Sequence, residues 1–109
     1  MIAIIWTYKV RPEHRPAFEA TYGPDGDWAR LFAHQDGYLG TELLRGEDES
    51  YLTIDRWRTQ ADFDAFLAAH RADYEALDRA TERWTVEEVR VGIWEGGFQR
   101  DHLRVPNAE

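Results

Sequence analysis

The sequence predicts a single α+β domain whose elements follow the order strand, helix, strand, strand, helix, strand. Four runs rich in β-branched and aromatic residues are typical of strands, and two regions carry apolar residues at helical spacing. Glycine- and proline-rich breaks separate these runs. The 109 residues, 43% hydrophobic and 31% charged, correspond to one globular domain.

The first predicted strand covers residues 2–10 and has two apolar faces. Its even-numbered residues place branched and aromatic side chains on one face, while Ala3 and Ile5 make the other face apolar as well. A strand that is apolar on both faces is typically covered on both sides. We therefore expect this strand to lie in the middle of the sheet.

The first helical region begins at Arg11-Pro12-Glu13, where proline and an acidic residue favour a helix start. Phe18 and Tyr22, four residues apart, mark its buried side. The break at Gly23–Gly26 ends this helix. Asp27 is placed to cap a short second helix, whose apolar residues are Trp28, Leu31 and Phe32.

Residues 38–45 and 51–58 predict a hairpin, because two strand-like runs flank the polar loop 46–50. Thr59 is a suitable N-cap for the long helix that follows, with Asp62 at the third position of a near capping box. Charged residues of this helix, Asp78 among them, are expected to face solvent. Its apolar stripe contains Phe63, Phe66, Leu67, His70, Tyr74 and Leu77.

Residues 85–95 form the last predicted strand, which Gly96-Gly97 ends. Its acidic pair Glu87-Glu88 is expected to be solvated. The domain is thus predicted to cover residues 1–95, followed by a polar C-terminal tail at residues 96–109.

This element order is that of the ferredoxin-like βαββαβ fold, a four-stranded antiparallel sheet with helices on one face. The other face would then carry apolar side chains without a cover, which a stable monomer avoids. We therefore expect a homodimer that packs sheet against sheet, with Trp84 and Trp94 as candidates for the contact.

Charge and composition exclude several classes of function. The net charge of −8 disfavours nucleic acid as a partner, since binding phosphates requires a basic surface. No apolar run reaches the length of a membrane span, and the N-terminus lacks the features of a signal peptide. Zero cysteines exclude disulfides and thiolate metal sites and suit a cytoplasmic location. The neighbours His34 and Asp36 do not by themselves make a metal site, so we expect none.

Several segments resemble the antibiotic biosynthesis monooxygenase (ABM) family. They are the strand 51–57 that ends at Trp57, the residues 58–63 after it, the helical run Phe66–His70 with Tyr74 beyond, and the turn Asp36-Gly37-Tyr38. The resemblance covers about residues 1–95 and implies a dimeric α/β barrel. It also implies cofactor-independent oxygenation of a small aromatic or polyketide-like compound, although the family includes haem-degrading enzymes and domains of unknown role.

The haem-degrading branch of the family requires an asparagine on the first strand, a tryptophan on the long helix and a histidine further along it. The matching positions here are Trp6 or Thr7, Phe66 and Ala76. An alanine side chain has no atom that binds iron. Haem degradation is therefore disfavoured, and we expect no cofactor.

Cofactor-free oxygenation needs a base, hydrogen-bond donors and a water-poor aromatic pocket. His70 is our candidate base, because it is a titratable ring in an apolar helical stripe, and Tyr74 and Trp6 are the candidate donors. The expected substrate-binding residues are Tyr8, Trp28, Phe32, Asp55, Trp57 and Phe66.

Each of these assignments has an alternative. His70 and Tyr74 would also serve as packed core residues that hydrogen-bond to the backbone or to water. Asp55, in mid-strand, is either a base with a raised pKa or one partner of a salt bridge across the sheet or the dimer, for which Arg45, Arg56 and Arg58 are available. The whole chain is either an enzyme, a non-catalytic dimeric domain that binds a small ligand, or a purely structural domain.

Overall fold

The computed structural model describes residues 1–97, so the predicted tail lies outside the described residues from position 98 onward. The strands are β1 (Ile2–Val10), β2 (Tyr38–Arg45), β3 (Tyr51–Trp57) and β4 (Thr85–Glu95). They form one antiparallel sheet in the order β2-β3-β1-β4, which confirms the predicted interior position of β1.

The first helical region has three short parts. A turn of 3-10 helix at Pro12–His14 leads into α1 (Arg15–Tyr22), and α2 covers Asp27–Phe32. The expectation that Asp27 caps α2 is wrong: Asp27 is the first helical residue, and Gly26 precedes it as the cap. A side chain at position 26 would collide with the carbonyl oxygens of Ala20 and Thr21, so only glycine allows this close approach of the backbone.

The long helix α3 covers Gln60–Thr81 and is followed by a 3-10 turn at Glu82–Trp84. Its predicted cap is confirmed, because the Thr59 hydroxyl accepts a hydrogen bond of 3.1 Å from the Asp62 amide. The backbone leaves helical geometry at His70 (φ −125°, ψ 26°), which kinks α3. Among residues 1–97, no helix combines the length and apolar character needed to cross a membrane.

The helices pack on one face of the sheet, and the core lies between them. Register places Asp55 and Trp57 of β3 opposite Ile4 and Ile2 of β1, on the face that the helices cover. The buried core consists of Ile4, Tyr8, Val10, Phe18, Tyr22, Trp28, Phe32, Tyr51, Trp57 and Phe66.

No helix of residues 1–97 lies over the second face of the sheet. Leu44, Val89 and Trp94 are 48%, 45% and 58% exposed. Trp84 lies elsewhere: its ring stacks on His14 at 6.3 Å and packs against the core. Trp94 is therefore the tryptophan that the fold leaves on the uncovered face.

Two glycines allow irregularities in the edge strands that decide which side chains face the core. The register shifts once between Tyr38 and Gly40 in β2 and once beside Gly92 in β4, and both glycines have positive φ (+140° and +148°). Because of the first shift, Tyr38 and Thr41 lie on the same face although they are three residues apart.

Candidate active site

A pocket opens between the helices and the sheet, with a cavity volume of about 60 Å³. Pockets that enclose drug-sized ligands are larger, about 300–1,000 Å³, so this one suits a small group or one end of a ligand that projects from the mouth. All four strands and all three helices contribute to its wall. The lining residues are Trp6, Tyr8, Tyr22, Trp28, Phe32, Thr41, Thr53, Asp55, Tyr74, Asp78 and Glu88.

Six of the nine residues proposed from the sequence line this pocket, namely Trp6, Tyr8, Trp28, Phe32, Asp55 and Tyr74. The structure brings these six together from β1, α2, β3 and α3. His70, Trp57 and Phe66 are not among the lining residues.

Asp55 is held in the pocket wall by a chain of hydroxyl groups. The Thr41 hydroxyl donates to Asp55 Oδ1 at 2.7 Å, and the Tyr38 hydroxyl lies 2.5 Å from Thr41 Oγ1. Since Thr41 has one hydroxyl proton and gives it to Asp55, Tyr38 is the donor to Thr41. The register shift in β2 makes this chain possible, because it turns both Tyr38 and Thr41 towards the helices.

Burial raises the pKa of Asp55 to about 6, although the Thr41 hydrogen bond acts to lower it. Within residues 1–97 of one chain, Asp55 forms no salt bridge with an arginine, while a salt bridge across a dimer stays a prediction. Arg45 pairs with Glu19 at 3.6 Å, Arg58 pairs with Asp62 at 3.1 Å, and Arg56 pairs with Glu42. The Asp55 carboxylate therefore has a hydroxyl partner and no cation among residues 1–97.

Two of the three tyrosines in the wall use their hydroxyls within the protein. Tyr8 and Thr53 are hydrogen-bonded at 2.9 Å, and Tyr22 donates to Thr81 at 3.1 Å. Burial raises the pKa of Tyr8 and raises that of Tyr22 to about 12, so both stay neutral. Tyr74 is the wall tyrosine whose hydroxyl no residue in the described part of the chain engages, so it is available to a ligand.

His70 lies outside the pocket, at the kink in α3. Its ring stacks on Phe66 at 5.5 Å between centroids and approaches His34 at 5.7 Å. Its Nδ1 is 3.9 Å from an oxygen of Asp73, which is largely exposed. The ring is thus placed on the outer side of the core.

Trp57 and Phe66 belong to a closed group of rings next to the pocket, which we call the aromatic cluster: Phe32, Tyr38, Trp57, Phe63 and Phe66. Their centroids are 5.1–6.4 Å apart in edge-on, tilted or stacked pairs. Trp57 and Phe66 are fully buried. Phe32 belongs to both the cluster and the pocket wall.

Sequence reasoning missed five lining residues: Tyr22, Thr41, Thr53, Asp78 and Glu88. Asp78 and Glu88 are exposed as expected, yet both also line the pocket, so they lie at its rim. Hydroxyl residues in mid-strand were the available signal for Thr41 and Thr53. Their pairing with Asp55 and Tyr8 depends on strand register, which periodicity does not specify.

Comparison with known proteins places this chain in a family. The sequence model of the antibiotic biosynthesis monooxygenase family matches residues 1–76, which include the strands and helices that build most of the pocket wall. The chain belongs to the antibiotic biosynthesis monooxygenase family. No curated protein sequence matches significantly.

Solved structures of the ABM family share this fold. SnoaB, a cofactor-independent oxygenase from Streptomyces nogalater, is 22% identical, with a TM-score of 0.63 over 91% of this chain and 95% of SnoaB. Rv0793 from Mycobacterium tuberculosis is 17% identical, with a TM-score of 0.62 over 91% and 97% of the two chains. A variant of MhuD with two manganese porphyrins bound per active site is 19% identical, with a TM-score of 0.66 over 91% and 97%.

The MhuD comparison raises the question of whether this pocket fits a metalloporphyrin. Among residues 1–97, no histidine, cysteine or methionine lines it. Its tyrosines are poor ligands for iron, because burial raises the pKa of Tyr8, Tyr22 and Tyr74 and so disfavours the phenolate that binds metal. The lining residues therefore do not fit a haem, and no step of the proposed chemistry below uses one.

Proposed function

We propose that the protein is a cofactor-independent monooxygenase that acts on a small aromatic or polyketide-like compound, with Asp55 as the general base. The observation that carries the proposal is a carboxylate in the wall of an aromatic pocket, with Thr41 bonded to Oδ1 and Oδ2 left for a substrate. Its pKa, raised by burial to about 6, suits a base that works near neutral pH.

The reaction requires dioxygen as its only co-reactant. Asp55 removes a proton from an electron-rich ring system such as an anthrone, and the resulting anion passes one electron to dioxygen. The substrate radical and superoxide combine into a carbon-bound peroxide, to which Asp55 returns the proton. Loss of water then leaves a carbonyl, so that a CH₂ group and O₂ become C=O and H₂O.

Two donors support the developing negative charge. Tyr74 has a hydroxyl without a partner in the described part of the chain, and Trp6 is a half-buried indole in the same wall. Donors in a pocket that excludes water stabilise an oxyanion more than the same groups do in water. The remaining aromatic residues keep water away from the anion and fix the plane of the substrate ring.

A homodimer is part of the same proposal. The uncovered sheet face presents Trp94, Leu44 and Val89, and covering such an apolar patch stabilises a two-fold assembly. Trp94→Glu should convert the dimer into monomers in sedimentation velocity experiments, whereas Ala76→Glu on the exposed side of α3 should not. A wild-type chain that sediments as a monomer would contradict the dimer. A cytoplasmic location completes the proposal and is supported by the absence of cysteine.

The decisive measurement is oxygen uptake by the metal-free protein with a panel of anthrones and hydroquinones. We expect uptake above the rate without protein, a loss of about 10²–10⁴-fold in Asp55→Asn, and little loss in His70→Ala. The wild-type rate should rise with pH through about 6 and level off above it, since the base must be ionised.

The reverse pattern would move the base to His70, as the sequence predicts, and would overturn the role of Asp55. No uptake with any compound that binds the pocket would overturn the oxygenase and favour the non-catalytic binding domain.

A further inference from the structure

The charges around the pocket are unusually one-sided. Asp55, Asp78 and Glu88 all line it, and no lysine or arginine of the described part of the chain does. None of the three carboxylates forms an ion pair within the described residues. The arginines at 45, 56 and 58 pair with other acidic residues, namely Glu19, Glu42 and Asp62. An anionic substrate entering this pocket would meet uncompensated negative charge.

The Tyr74 hydroxyl reports the local potential. Burial raises its pKa most, the charges of Asp78, Asp55 and Glu88 raise it further, and Arg90 acts to lower it. The nearby carboxylates that line the pocket therefore favour a ligand cation.

The wall also presents the rings that cations prefer. Trp28 and Tyr74 meet edge to face at 5.0 Å, and Trp6 stacks against Tyr8 at 6.4 Å, with all four rings in the pocket lining. An ammonium group near aromatic faces is stabilised by about 0.5–2 kcal/mol, and more when water is excluded. Carboxylates and rings thus point to the same ligand charge by separate physical effects.

We propose that the pocket takes an aromatic compound that carries a protonated amine, with the amine at the Asp78 and Glu88 rim. As a statement about the substrate, the inference rests on the proposed function. The ammonium would offset the negative charge of the carboxylates. The negative charge that forms on the ring when Asp55 removes a proton would then be repelled less strongly.

Calorimetric titration of the wild-type chain with three compounds of matched ring size tests the inference. The compounds are tyramine, 4-ethylphenol and 4-hydroxyphenylacetate, which are cationic, neutral and anionic at neutral pH. We expect tyramine to bind about tenfold or more tightly than 4-ethylphenol, and 4-hydroxyphenylacetate to bind weakest. The tyramine preference should shrink as salt increases, because the rim is open to solvent.

Variants of Asp78 and Glu88 test whether these rim residues cause the preference for tyramine. Asp78→Asn with Glu88→Gln should remove most of the tyramine preference and leave 4-ethylphenol binding within about twofold. The matched controls are Glu75→Gln on α3 and Glu87→Gln on β4, exposed residues that do not line the pocket; they should retain the preference.

Equal affinities for the three compounds, tightest binding of the anion, or binding of none of them would overturn the inference. Because titration needs no turnover, tyramine preference without oxygen uptake would leave this inference standing and count against the oxygenase. Oxygen uptake with neutral substrates and no preference for the amine would support the oxygenase and overturn this inference.

Discussion

The aromatic cluster and the pocket lie side by side between the same helices and the same sheet, but they differ in what accompanies their rings. In the cluster, Trp57 and Phe66 are fully buried and contact other rings. In the pocket, the rings share the wall with Asp55, Thr41 and Thr53. Trp57 and Phe66 of the cluster have no exposed surface, whereas the pocket keeps polar groups around an open space. A high aromatic content therefore does not by itself locate a binding site; polar neighbours do.

Replacing a tryptophan of the cluster and a tryptophan of the pocket should give the largest difference in stability. Trp57→Ala should lower the free energy of unfolding by about 3–5 kcal/mol, because it leaves a cavity in a closed core. Trp6→Ala should cost less than half as much, since Trp6 is half-buried and already borders open space. Urea denaturation at neutral pH measures both. Equal losses would mean that the pocket is as tightly packed as the cluster.

Asp55→Asn should raise stability at neutral pH. The carboxyl of Asp55 has a pKa of about 6 in the folded chain against 3.8 for an ordinary aspartate, so the folded state binds its proton more tightly. The stability of the wild type should therefore fall as pH rises through this window, by up to about 3 kcal/mol from this group alone. Asp55→Asn should lack this pH-dependent loss of stability.

Denaturation of both chains at pH values below and above this window measures the difference between them. The exposed variant Asp25→Asn is the control and should keep the wild-type dependence on pH. A parallel pH dependence in wild type and Asp55→Asn would show that the carboxylate is fully solvated, and the contrast between pocket and cluster would weaken.

Two tyrosine variants test how much the buried hydroxyl pairs at the pocket contribute to stability. Tyr8→Phe should cost about 1–3 kcal/mol, because it leaves the buried Thr53 hydroxyl without its partner. Tyr22→Phe should cost about 0.5–1.5 kcal/mol, since the Thr81 hydroxyl still bonds to the Leu77 carbonyl at 3.1 Å. Thermal or urea unfolding ranks the two. The opposite ranking would place the more important hydroxyl pair on α1 rather than on β1.

The smallest effect belongs to the start of α3, beside the cluster. Thr59→Ala should cost about 1 kcal/mol, because the Asp62 amide loses its capping partner. Thr59→Ser keeps the hydroxyl and should cost less. A loss equal to that of Trp57→Ala would mean that the cap and the cluster fold as one unit, and urea unfolding of the variants measures it.

The element order, the interior position of β1, the Thr59 cap and most of the aromatic residues in the pocket wall could be predicted from the sequence. These follow from local patterns: β1 alternates with period two, and α3 repeats its apolar residues with a period near 3.6. A local pattern also assigned His70 to the apolar side of α3. It did not show that α3 kinks at His70 or that the ring lies outside the pocket wall.

The face of Asp55, its partner Thr41 and the approach of Asp78 and Glu88 to one pocket became known from the folded chain alone. The physical reason is that pairing between strands fixes which residues meet, and the register shift beside Gly40 reverses the alternation that a sequence pattern assumes. Asp55 and Thr41 are 14 residues apart, and their hydrogen bond exists because antiparallel register places them opposite each other.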